Sequence, residues 1–199
     1  MYLYGASGHA KVIIEILEQN MVTVDGLYDD NPDIKQLLGY RVYGSLSSKR
    51  IPKVPFIVSI GNNSLRKKIV EEYNLLFGNA FHLTSVISKR TEIDEGSVVL
   101  GNVVINSGAL IGKHVILNTL CSIDHDCVIG DYVHISPNAC LSGGVSIGEG
   151  THIGSGSVII PGISIGKWVT IGAGSVIISD VPDYATVVGN PGNVIKMSK

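Results

Sequence analysis

The chain is expected to fold as a small Rossmann-like α/β domain followed by a parallel β-solenoid. Two observations predict this: an unbroken six-residue repeat from Ser85 to Asp180, and a different texture before it, where residues 1–80 alternate apolar runs with helical stretches. The domains are therefore drawn at 1–80 and 81–199, the second ending in a short tail.

The repeat runs for 96 residues without an insertion, and the third position of every unit is Ile, Val or Leu, from Ile87 to Ile177. First positions are small or β-branched throughout. A period of six matches no helix, and the Gly, Asn, Asp and Ser at fourth positions would break one. Short strands pointing their first and third residues inward, with a turn opening at the fourth, satisfy the pattern. Three such units close a triangular coil of 18 residues, and at about 4.8 Å per coil roughly five coils make a prism on the order of 25 Å long.

The first domain reads in order as a strand at Met1–Tyr4, a turn over Gly5–His9, a helix over Ala10–Gln19 with Val12, Ile13, Ile16 and Leu17 on one face, and a strand at Val24–Tyr28. A third strand at Phe56–Ile60 stops at Gly61-Asn62-Asn63-Ser64, after which Leu65–Tyr73 reads as a helix capped by Ser64 or Asn63. In such a fold, ligands sit beyond the carboxyl ends of the parallel strands. Three segments meet at that edge: Gly5–His9, Asp29-Asp30 and Gly61–Ser64. Glycines and a helix N-terminus suit a phosphate, and paired carboxylates can accept from ribose hydroxyls or a base N–H. The plainer reading makes the glycines a strand-to-helix turn and the aspartates a cap before Pro32. The GxGxxG of a dinucleotide site is missing, which favours a mononucleotide sugar over NAD.

Composition narrows the function further. With 45% hydrophobic residues, 16% charged residues and a net charge of -2, nothing favours nucleic acid. The apolar runs are too short to span a bilayer, and Met1 leads directly into a strand, so a cytoplasmic protein is expected. Cys121, Cys127 and Cys140 form no CxxC, and the first two fall at inward positions, where they read as core.

Among the histidines, His125 lies at a corner of the prism between Asp124 and Asp126. Asp124 is a fourth-position turn residue, whereas the repeat offers no reason for Asp126. A carboxylate beside an imidazole raises its basicity and fixes its tautomer, so His125 reads as a general base and Asp126 as its partner. One coil later stand Gly143 and Gly144, whose bare backbone would leave a slot for a thin ligand chain. His134 and His152 stack at outward second positions, but no H-x3-H or HExxH spacing supports a metal, and none is expected.

The segments GASGHAKVI, SIGNNSLRKK, IDHDCVIGDYVHISPNACLSGGVSIG and VVGNPGNVIK resemble the hexapeptide-repeat nucleotide-sugar acetyltransferases of bacteria over nearly the whole chain. The pattern is most similar to enzymes that N-acetylate a UDP-linked 4-amino-4,6-dideoxy sugar; the sialic acid O-acetyltransferases, which share the layout, supply the alternative. The resemblance implies a left-handed β-helix, a homotrimer, and acetyl-CoA lying between adjacent prisms. It places Ser7, Gly8 and His9 at the diphosphate, Asp29 and Asp30 at the uridine, and Gly61, Asn62, Asn63 and Ser64 along the nucleotide wall. Asn118 would orient groups in the cleft, His134 would hydrogen-bond the thioester region, and Gly143, Ser155 and Ala173 would line the coenzyme channel. Direct transfer with His125 as base, and the Gly143 N–H meeting the oxyanion, is the expected mechanism. Asp126 where the family also uses Glu, and Ser155 where it also uses an aliphatic residue, are departures from the pattern.

Overall fold

The computed structural model describes residues 1–47 and 51–197. The first elements are β1 (Tyr2–Tyr4), α1 (Gly8–Gln19), β2 (Gly26–Tyr28), β3 (Gln36–Leu37), β4 (Tyr40–Arg41), β5 (Phe56–Val58) and α2 (Asn63–Glu72). Strands β1, β2 and β5 form a parallel sheet in the order β2-β1-β5. Helix α1 buries Ala10, Ile13, Ile14, Ile16 and Leu17 against Leu3, Leu27 and Ile57; Ile14 joins the expected Ile13, Ile16 and Leu17, whereas Val12, expected on that face, is exposed.

Several element ends differ from expectation. Helix α1 begins at Gly8, so Gly8 and His9 form its first turn, with Ser7 extended at the cap. Helix α2 begins at Asn63, and its cap is Asn62, whose side chain accepts from the Leu65 N–H, rather than Ser64 or Asn63. The antiparallel pair β3 and β4 carries no alternating apolar pattern and was not expected from the sequence.

The repeat forms a three-faced β-solenoid of two-residue strands, each paired in parallel with the strand 18 residues away, as Val104 with Ser122 and His134 with His152. The faces hold six, five and eight strands. The eight-stranded face begins at Ala80–Phe81 and ends with Ala185–Val188 and Asn193–Met197, so it outruns the hexads at both ends. First and third positions fill the prism: Cys121, Ile123, Cys127, Val133, Ile135 and Leu141 are fully buried.

A second regularity lies in the corners. From Gly96 to Gly174 every sixth position of the repeat has φ between 54° and 79°. This left-handed conformation favours Gly, and among other residues Asn and Asp. The repeat thus does explain an aspartate at position 126, where φ is 59°, contrary to the sequence reading.

The first domain sits on the eight-stranded face. Outward residues Val98, Leu100 and Ile116 are buried in the core around α1. Further along the same face the stacked second positions become His134, His152 and Thr170. The contact between domains is therefore apolar at one end and polar at the other.

Candidate active site

His125 lies at the corner between the six- and five-stranded faces, following Ser122–Ile123 and preceding Val128–Ile129. Its Nδ1 is 2.8 Å from Asp126 Oδ2, and its backbone N–H donates to Asp124 Oδ1 at 2.8 Å. The Asp126 hydrogen bond raises the His125 pKa above its ordinary value, helped by the Asp124 charge. With Nδ1–H held by the carboxylate, Nε2 is left as the basic atom, and the imidazole is well exposed.

Glycines make room for this pair. A Cβ on Gly143 would lie 2.6 Å from His125 Cε1 and Nε2, so the imidazole occupies the slot above the bare backbone. The imidazole, rather than the thin ligand chain expected from the sequence, takes the space directly over Gly143. Gly108 does the same for the Asp126 carboxylate, 2.5 Å from the position of its missing Cβ. Among the described residues the Gly143 N–H has no acceptor, since the bond across the coils runs from Gly144 N to His125 O.

The other residues expected at the site lie on a different side. Asn118, Ser155 and Ala173 belong to the corner after the eight-stranded face, and His134 to that face itself. Asn118 Oδ1 accepts from Thr119 N at 2.8 Å, which turns its Nδ2 toward His134 Nε2 at 3.2 Å and makes that nitrogen an acceptor. The His134 imidazole also stacks on His152 at 5.0 Å, while His152 Nε2 meets Ser136 Oγ at 2.7 Å. His134 Nε2 is thus engaged within the chain by Asn118. Among the described residues no group of three or more His, Cys, Asp or Glu gathers to hold a metal.

In the first domain, Ser7 and Gly8 are exposed at the start of α1. Asp29 Oδ2 accepts from Ala6 N at 2.6 Å and its Oδ1 from Asn31 N at 2.8 Å, so this carboxylate holds the β1–α1 loop. Asp30 accepts from Tyr4 Oη at 3.0 Å and is otherwise exposed. Gly61, Asn62 and Ser64 are exposed, and they border a cleft of about 350 Å³ between the domains, closed by His152, Trp168 and Thr170. Asn63 departs from its expected role: its Nδ2 donates to Gly150 O and Thr151 O at 3.0 and 3.2 Å, which ties α2 to the solenoid.

Sequence reasoning missed Arg66 and Trp168. Arg66 is 1% exposed, and the only hint was its i,i+3 spacing from Asn63. Trp168 fits over Gly150, one coil earlier. Around Arg66, burial lowers the pKa of His9 and His114 to about 4 and of His134 to about 3, with the Arg66 charge adding to each and neighbouring His152 also lowering His134. These imidazoles are neutral in the fold, whereas in the unfolded chain they titrate near 6.5. Their contribution is full above pH 6.5 and is lost as pH falls toward about 4, because the unfolded state takes up protons first. At pH 5 the loss is about 2 kcal/mol for each such histidine, roughly 6 kcal/mol for the three, so the unfolding temperature should drop by roughly 10–20 °C between pH 7 and pH 5. Calorimetry across that range checks this; a flat profile would mean the imidazoles are not desolvated.

Comparison with known proteins agrees with this architecture. Residues 1–73 match the PglD N-terminal domain, and residues 108–143 and 144–179 match the bacterial transferase hexapeptide (six repeats). The chain is 32% identical over 156 residues to GDP-perosamine N-acetyltransferase of Escherichia coli O157:H7, covering 71% of this chain and 69% of the relative. It is 38% identical over 109 residues to UDP-N-acetylbacillosamine N-acetyltransferase of Bacillus subtilis (strain 168), covering 49% and 50%. Its fold superposes with a TM-score of 0.92, at 34% identity and covering 98% and 96% of the two chains, on a histidine-to-asparagine mutant of perosamine N-acetyltransferase from Caulobacter crescentus in complex with CoA and GDP-perosamine. The chain therefore belongs to the hexapeptide-repeat family of nucleotide-sugar acetyltransferases that carry a PglD-type N-terminal domain.

Proposed function

We propose that this enzyme transfers the acetyl group of acetyl-CoA to the 4-amino group of a nucleoside-diphosphate-linked deoxy sugar, in the cytoplasm and as a homotrimer. The observation that carries the chemistry is the His125–Asp126 pair, with its free Nε2 poised over the bare backbone of Gly143. The amine nitrogen attacks the thioester carbon as His125 Nε2 takes its proton. The oxyanion is met by the Gly143 N–H, and collapse expels the CoA thiolate, which recovers a proton from the imidazolium. An amide and free CoA thiol result, with no acyl-enzyme.

Triangular geometry supports the oligomer. His125 stands at the corner opposite the face that the first domain covers, so a single chain holds its base and its nucleotide segments on opposite sides of the prism. A threefold arrangement brings the His125 corner of one chain to the Asn118, Ser155 and Ala173 corner of the next. It also covers an imidazole that is exposed in the isolated chain. Ser7, Gly8, His9, Asp30 and the Gly61–Ser64 turn then supply the nucleotide-sugar side.

UDP is the carrier that the family resemblance implies, and GDP is the one in the names of both perosamine relatives. Thiol release from acetyl-CoA, measured against UDP- and GDP-linked 4-amino sugars and free sialic acids, tests the reading. Turnover with a nucleotide-linked amino sugar is expected. Turnover with sialic acid alone would replace it with O-acetylation, and a monomer in sedimentation would remove the shared site.

A further inference from the structure

We propose that Arg66 is a positioning residue that locks the Gly61–Asn63 segment to the solenoid, and that nucleotide-sugar binding depends on this lock. The inference rests on the reading of Gly61–Ser64 as part of the nucleotide wall. Arg66 is almost wholly buried, yet among the described residues none of its hydrogen bonds goes to a carboxylate, and its acceptors come from both domains.

Its Nε donates to His114 O at 2.9 Å and its Nη2 to Tyr132 O at 2.7 Å, two corner carbonyls one coil apart. Its Nη1 donates to Ile60 O at 2.9 Å and to Gly61 O at 3.4 Å, and Nη2 also reaches Asn63 Oδ1 at 2.9 Å. One planar fork thus reads the rise of the solenoid on one side and the end of β5 on the other. Burying a cation is costly, and a dock made for stability alone would be better served by apolar side chains. Those sit nearby, at Val98 and Ile116. What the guanidinium adds is a fixed geometry for the strand-to-helix turn that borders the interdomain cleft. Lys67 and Asn63 reinforce the same contact through Glu149 and through the carbonyls of Gly150 and Thr151.

The test uses the chain with Arg66→Lys, and Arg66→Gln as a second variant should the first fail to fold. A lysine offers three donors on one atom and cannot span both domains. Hydrogen exchange at residues 61–64 is expected to quicken at least tenfold, with α1 unchanged. The KM for the nucleotide sugar should rise about tenfold, while kcat and the KM for acetyl-CoA stay within twofold. Unchanged exchange at 61–64 would overturn the proposal. So would a rise in both KM values in step with a lowered unfolding temperature, the sign of a merely structural role. If the wild-type enzyme acetylates no nucleotide sugar, the functional reading has failed, and the exchange measurement alone then decides whether Arg66 holds the segment.

Discussion

Replacing His125 with Ala is expected to lower turnover by roughly 10²-fold or more, the scale of a lost general base, with the solenoid and its assembly intact. The side chain is exposed, and its hydrogen bond to Asp126 contributes little to folding. Stability should therefore be nearly unchanged while chemistry is lost. The pH dependence gives a second reading of the same residue. A base works in its neutral form, and the Asp126 hydrogen bond, then the Asp124 charge, place the His125 pKa above 6.5. Activity should rise with pH through that raised value. Asp126→Asn keeps a residue type that tolerates φ of 59° but removes the charge, so the acidic limb should move to lower pH while the plateau falls. Near wild-type turnover in His125→Ala would remove the imidazole from the mechanism, and an unmoved limb in Asp126→Asn would show that the carboxylate does not set its basicity.

Much of this site was legible because a six-residue lattice turns sequence position into location. The stacking of His134 under His152 and of His125 under Gly143 follows from an 18-residue coil, and the structure shows both. Chemistry at lattice points was less legible. Asp126 stood out by its neighbour, yet the left-handed corner that also admits it depends on backbone angles, which no spacing reveals. The slot over Gly143 was read as empty because the direction of the His125 ring is a rotamer choice. Arg66 escaped notice for a different reason. A charged residue on a helix is ordinarily solvated, and its burial here arises from carbonyls of a domain distant in sequence. Helical periodicity would instead have turned Leu65 inward, and it is 43% exposed. Asn63 and Asp29 share that history: their residue types suited a ligand, but backbone groups of the same chain take their side chains.

Gly143→Ala should cut turnover by about 10- to 100-fold without unfolding the protein, the range in which a displacement near 1 Å is felt in catalysis. Its φ is not in the left-handed region, so alanine brings no backbone strain, but its Cβ would lie 2.6 Å from His125 Cε1 and Nε2 and 3.2 Å from Cδ2. The nearer contacts are too short to persist, and the flexible member is the exposed imidazole, which must swing off the corner. Rotation weakens the Nδ1 bond to Asp126 and carries Nε2 away from the Gly143 N–H, so base and oxyanion donor are separated together. Gly144→Ala serves as the opposite control. Its φ is +70°, and the nearest atom to an added Cβ is Gly162 Cα at 4.0 Å. There alanine meets open space but a strained backbone, at a cost of about 1–2 kcal/mol. The two neighbours should therefore part company: Gly143→Ala loses turnover and keeps its unfolding temperature, while Gly144→Ala loses several degrees and keeps most of its turnover. Equal effects in both assays would mean that the imidazole does not work from its place above Gly143.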